Sequence, residues 1–127
     1  MRAIEALIVD DSSVMRKIVE RALRQAGLDS ITVHEAATGV EALEVLRSCR
    51  VDLILSDINM PSMDGLEFLR QLSLQKLAVG VPVVMITTES SEEHVRQAIQ
   101  AGARGYIRKP FTAEQVKERV LPLLNAA

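Results

Sequence analysis

Apolar runs of strand length alternate along this chain with longer segments of helical period, and that alternation leaves few folds open. Five such pairs can be read. The apolar runs are Ile4 to Val9, Ile31 to His34, Leu53 to Ser56, Pro82 to Ile86 and a short Gly105 to Ile107. Parallel strands need a crossover between them, usually a helix, so repeated strand-helix pairs predict an α/β fold. Its form is a doubly wound, five-stranded parallel sheet with helices on both faces. The continuous hydrophobicity of the runs predicts strands buried on both sides.

The helical segments carry their own punctuation. Thr38 with Glu41, Ser90 with Glu93, and Thr112 with Gln115 each match a capping box, and Gly27 and Gly102 match helix C-terminal stops. Three apolar stripes are expected to cover the sheet: Val14, Ile18 and Ala22; Val95, Ala98 and Ile99; and Val116 and Val120 with Leu123 or Leu124. Pro122 removes a backbone donor and crowds the preceding turn, which predicts a kink or an early end to the last helix. Asp64 and Gly65 read as a turn in which the glycine supplies an unusual backbone angle.

Size and charge narrow the function classes. With 127 residues the chain has the length of one domain, 1–127, and can bury roughly two-thirds of the surface exposed when unfolded. The 15 basic and 17 acidic residues give a net charge of −2 and form no basic block, so the chain lacks a footprint for nucleic-acid phosphates. A single cysteine, Cys49, rules out an intrachain disulfide and reads as a small, semi-buried side chain. The opening MRAIEALIVDD lacks the apolar core of a signal peptide, and no run approaches the ~20 residues of a membrane span. A cytoplasmic protein without membrane insertion is therefore expected. The start at Met1, with no Pro/Gly/Ser linker or low-complexity tail, predicts a free-standing chain without an output domain.

Ligands of an open parallel sheet sit beyond the carboxyl ends of its strands, so the residues following each apolar run carry the chemistry. Those residues are Asp10 and Asp11, then Asp57 and Asn59, then Thr87 and Thr88, and finally Lys109. Asp10 and Asp11 alone would pass for an acidic helix start. Three carboxylates at one rim repel one another unless a cation compensates them, and Mg²⁺ suits a site of oxygen ligands that keeps room for water and a phosphate. No His or Cys cluster points to zinc; His34 and His94 read as surface or strand-end residues, and Met60 and Met63 as local packing. A metal and an ammonium group together suit phosphoryl transfer, with Asp57 the best-placed nucleophile, Lys109 gripping one phosphoryl oxygen and the Thr87 hydroxyl another.

The segments LIVDDSSVMRK, LSDINMPSMDG, MITTES and YIRKPF resemble the signature segments of response-regulator receiver domains, in order and over essentially the whole chain. Within that family the likeness is to the single-domain chemotaxis regulators, whose strand order 2-1-3-4-5, shared with flavodoxin, the resemblance implies here. It also implies that Asp57 is the phosphoacceptor, that Asp11, Asp57 and the Asn59 carbonyl bind Mg²⁺, and that Asp10 assists through water. Thr87 and Lys109 match the family's switch hydroxyl and lysine, the Lys109-Pro110 bond its cis peptide, and Tyr106 the aromatic that moves on activation. Asn59 and Glu89 hold positions that tune loss of the phosphoryl group. Thr88 departs from the Ala or Gly of many members and narrows access to the site.

The implied function is a signalling switch in a two-component system. It takes phosphoryl from a sensor histidine kinase or a small phosphodonor and changes its affinity for a downstream target, which for a chemotaxis-type monomer is the flagellar motor switch. Its only catalysis is on its own aspartate. A phosphate-relay receiver and a receiver fragment of a larger regulator are the alternatives within the family. A Mg²⁺ phosphatase with an aspartyl intermediate would need a carboxylate where Asn59 stands, and a flavin module would place its phosphate against Asp10 and Asp11.

Overall fold

The computed structural model describes residues 4–58, 60, 63–88 and 92–125. Its elements alternate strictly: β1 (Glu5–Val9), α1 (Ser13–Gln25), β2 (Thr32–Ala36), α2 (Gly39–Ser48), β3 (Leu53–Asp57), α3 (Gly65–Gln75), β4 (Val83–Thr87), α4 (Glu92–Gln100), β5 (Gly105–Arg108) and α5 (Ala113–Asn125). All four strand pairings are parallel, and the five strands lie in the order β2-β1-β3-β4-β5. The doubly wound sheet read from the sequence is the observed one.

Alternate residues of each strand face opposite sides, so the sheet has two cores. On one side Leu7, Val9, Ile54 and Met85 pack with Ala42 and Leu43 of α2, Phe68, Leu69 and Leu72 of α3, and Ala98 of α4. On the other, Ala6, Ile8, Leu53, Leu55, Val84 and Ile86 pack with Val19, Ala22 and Leu23 of α1 and Val116 and Val120 of α5. The central strands β3 and β4 are buried throughout. The edge strand β2 is not: four of its five residues are partly or fully exposed, against the expectation of two-sided burial.

Helix starts follow the capping chemistry. Glu41 N donates to the Thr38 hydroxyl, and at α5 the box is reciprocal, with Gln115 N donating to Thr112 Oγ1 (3.2 Å) and Thr112 N to Gln115 Oε1 (2.9 Å). Ser12 and Asp64 cap α1 and α3 in the same way. The box proposed at Ser90 lies outside the described residues. Gly27 and Gly102 take φ of 112° and 116°, as helix stops do.

Four expectations need correction. The stripe of α1 that faces the sheet is Val19, Ala22 and Leu23, whereas Val14 and Ile18 are 69% and 45% exposed. Val14 and Ile18 lie on a neighbouring face of the helix that meets the buried one only at Ala22. The last helix runs through Pro122 to Asn125, so of the two outcomes expected there the early end is the one corrected. Glu118, whose carbonyl loses its donor, and Pro122 both lie on the exposed side, where water can serve instead. Gly65 has no positive φ; it is the buried first residue of α3, and a Cβ there would lie 2.6 Å from the Asp57 carbonyl oxygen. Space, not backbone angle, requires glycine at that position. For the stripe of α4, Ala98 is buried but Ile99 is 46% exposed.

Candidate functional site: an acidic rim with a lysine

Strands β3 and β4 each end one residue later than the sequence suggested, and this places two candidate site residues inside the ladder. Asp57 is the last residue of β3, paired with Ile86, and Thr87 the last of β4, paired with Arg108. Both are buried, so the ladder on either side fixes their backbones. Asp10 follows β1 directly, and its N–H continues the sheet by donating to the Ala36 carbonyl (3.1 Å).

These strand ends bring together Asp10, Asp11 and Asp57, with one carboxylate oxygen of each within 4.8 Å of the others. Asp10 and Asp57 are buried and Asp11 is exposed at the mouth. Lys109 reaches in from the end of β5; its Nζ donates to Asp10 Oδ2 (3.1 Å) and Asp57 Oδ2 (3.4 Å). The second oxygen of Asp10 accepts from Ser12 N at 2.9 Å. One ammonium among three carboxylates leaves the rim net negative, and the donors are hard oxygens at close range, which fits a hard divalent cation with open coordination positions.

The chain around the rim is built to hold it. The Lys109-Pro110 bond is cis, and Lys109 N donates to the Thr87 carbonyl (2.8 Å). Gly65 N donates to the Ile58 carbonyl (2.7 Å), drawing the start of α3 against the backbone of Asp57. Fully buried Ser56 donates its hydroxyl to the Asp57 carbonyl (3.0 Å).

Thr87 is fully buried and Thr88 beside it exposed. Since Met85 pairs with Tyr106 and Thr87 with Arg108, the side chains of Thr87 and Tyr106 lie on the same face of the sheet. Tyr106 is half-buried against that core, with the Arg119 guanidinium carbon 5.8 Å from its ring centroid. Asn59 and Glu89 lie outside the described residues. Sequence reading missed Arg16 and Glu35, whose side chains meet beside Asp10; nothing in the spacing of two charged residues 19 apart signals such a contact. Ser12 was missed because no Glu or Gln stands three residues on. Asp64, with Glu67 at that position, fits the acidic form of the same signature and was open to recognition.

A five-stranded sheet of this order with charged groups at the carboxyl ends of β1, β3 and β5 defines a receiver-type α/β protein. The chain belongs to the response regulator receiver domain family, whose model matches residues 6–121. It is 42% identical over 114 residues to "Chemotaxis protein CheY-3" of Vibrio cholerae, covering 90% of this chain and 86% of the relative. To "Chemotaxis protein CheY" of Pseudomonas aeruginosa it is 40% identical, covering 90% of both. Among solved structures, chemotaxis response regulator CheY4 of Vibrio cholerae superposes with a TM-score of 0.84 at 35% identity, covering 96% of this chain and 99% of the other. The receiver domain of the putative response regulator NarL from Mycobacterium tuberculosis gives 0.86 at 30% identity, with both chains covered completely. The protein is thus a response-regulator domain of two-component signalling rather than an enzyme of the ordinary kind. No helix among the described residues is long and apolar enough to cross a membrane.

Proposed function

We propose that this protein is a phosphorylation-activated switch in which Asp57 accepts a phosphoryl group from a sensor histidine kinase or a small acyl phosphate. The observation that carries the reading is the convergence of Asp57, Asp11 and Lys109 on one rim, an acceptor between a cation-binding carboxylate and an ammonium group. An oxygen of the Asp57 carboxylate attacks phosphorus as the bond to the donor's nitrogen or oxygen breaks, and the leaving group takes the electron pair. Asp11 and Asp57, with Asp10 behind them and the Asn59 carbonyl, would hold Mg²⁺, which when bound supplies neutralisation of the transferring oxygens. Lys109 moves its hydrogen bond from the carboxylate to a phosphoryl oxygen, and Thr87 donates its hydroxyl to another. Thr88, exposed at the mouth, together with Asn59 and Glu89, sets how readily water reaches the phosphoryl group.

Because Thr87 and Tyr106 share a face of the sheet, movement of the hydroxyl toward the phosphoryl group frees room for the ring to turn inward. The surface formed by α4, β5 and α5 changes, and with it the affinity for a target. The chemotaxis relatives support a chemotaxis-type regulator; on this proposal it acts as a cytoplasmic monomer and its target is the flagellar motor switch. Tyr106 is the chain's one tyrosine and there is no tryptophan, so intrinsic fluorescence reports on this ring alone. Beryllofluoride with Mg²⁺, a mimic of the phosphoryl group, should change that fluorescence in the wild type and leave it unchanged in Thr87→Ala. Bound mimic without a change in the wild type removes the switch and favours a phosphate-relay role.

A further inference from the structure

Arg16 sits against the usual electrostatics of a helix. It lies in the first turn and a half of α1, where the positive end of the helix dipole disfavours a cation, and α1 has no acidic residue in its first turn to offset it. Its side chain is nevertheless only 15% exposed. It folds back over the helix start, and Nη1 donates to the backbone carbonyl of Asp10 at 2.5 Å while Nε donates to Glu35 Oε1 at 2.8 Å. Glu35 stands on β2 opposite Ile8 and also takes Lys17 Nζ on its second oxygen at 3.1 Å. The Arg16 hydrogen bond is the leading cause that holds the Glu35 carboxyl below its ordinary range, with Lys17 contributing.

The carbonyl that Arg16 grips belongs to the peptide joining Asp10 to Asp11. Asp10 is otherwise fixed by its N–H on Ala36 and its carboxylate between Ser12 N and Lys109. Asp11 is the exposed member of the rim, and the orientation of the peptide before it decides where its side chain leaves the backbone. We infer that Arg16, braced by Glu35, is a positioning residue that locks the Asp10-Asp11 peptide so that Asp11 faces the divalent-cation site. The inference rests on the reading of the acidic rim as a Mg²⁺ site. Glu35 also screens the guanidinium charge, which would otherwise oppose the incoming cation.

Positioning and simple charge predict opposite signs. Removing a cation beside a metal site should tighten Mg²⁺ by Coulomb attraction alone, whereas loss of a positioning contact behind a ligand weakens binding about ten-fold or more. Titration calorimetry with Mg²⁺ on the wild type, Arg16→Ala, Arg16→Lys and Asp11→Asn separates them. Arg16→Ala should bind Mg²⁺ about ten-fold more weakly, and Arg16→Lys, which keeps the charge but lacks the planar fork, should not restore it. The Asp11 amide resonance of the metal-free protein should shift in both Arg16 variants. Unchanged or tighter Mg²⁺ binding in Arg16→Ala, with Asp11→Asn losing it, overturns the positioning role while leaving the metal site intact. Wild-type affinity in Asp11→Asn overturns the site itself and the inference with it. If Arg16→Ala does not fold, Arg16→Lys decides, because it keeps the charge: weakened binding supports the role and wild-type affinity overturns it.

Discussion

Replacing Gly65 by alanine should destabilise the protein in a way that a matched glycine does not. Gly39 and Gly65 are each the buried first residue of a helix, and neither has a positive φ. They differ in what a Cβ would meet. At Gly65 it lies 2.6 Å from the Asp57 carbonyl oxygen, 2.8 Å from the Ile58 Cα and 2.6 Å from the Met85 Cε, so two of the three neighbours are backbone. At Gly39 all three are side-chain atoms of Met63, the nearest at 2.8 Å, and a half-buried methionine can turn aside. Overpacking against backbone costs about 1–3 kcal/mol, and two backbone atoms place Gly65→Ala toward the upper end. Displacing the Met63 side chain costs below ~1 kcal/mol. Any gain in helix propensity, up to about 1 kcal/mol, applies to both and cancels in the comparison. The difference should be about 2 kcal/mol, which for a domain of this length is roughly 8 °C in Tm. Thermal and urea unfolding followed by circular dichroism measure it. Midpoints within about 2 °C of each other would show that the start of α3 does not press on the β3 backbone as described.

Other perturbations test separate parts of the account. Phe68→Ala should cost about 3–5 kcal/mol in urea unfolding, since the ring is fully buried between α3 and the sheet. Val79→Ser, at a residue 80% exposed, should stay within about 0.5 kcal/mol. Asp11→Ala should weaken Mg²⁺ binding in calorimetry yet melt no lower than the parent in metal-free buffer, because it relieves repulsion on the rim. The Glu35 carboxyl is held low chiefly by Arg16, so its contribution is present above its ordinary range and lost as the pH falls through its folded value. With the Glu35 side chain 31% exposed and screened by solvent, the pair should be worth only a few tenths of a kcal/mol, read as a slightly shallower acid-side loss of stability in Glu35→Gln below about pH 5.

Much of the fold was legible because the two periodicities on which it depends survive in a single sequence. Runs such as Leu53 to Leu55 and Val83 to Ile86 are apolar without interruption, and only a strand covered on both faces needs that. The edge strand β2 shows the limit of this logic, since Thr32, His34 and Glu35 sit in it and its terminal Glu35 and Ala36 went unread. Which stripe of α1 faces inward was illegible for a related reason: Val14, Ile18, Val19 and Leu23 are spaced so that two faces compete, and only packing against β1 and β3 selects one. The candidate site residues were recognisable from their types and their places at the strand ends. Their mutual support was not. The contacts of Arg16 with Asp10 and Glu35, and of Gly65 with the Asp57 carbonyl, depend on how a loop and a helix start meet in space, which no local pattern records.

The most direct test of the account is the intact mass of the protein after incubation with Mg²⁺ and acetyl phosphate. Asp57 lies beside Asp11 and Lys109, which on the proposed function would supply the cation site and the ammonium group that transfer requires. The wild type is expected to gain the mass of a single acid-labile phosphoryl group, and Asp57→Asn to gain none under the same conditions. Equal labelling of the two proteins, or no labelling of the wild type with Mg²⁺ present, would contradict the assignment of Asp57 as the acceptor.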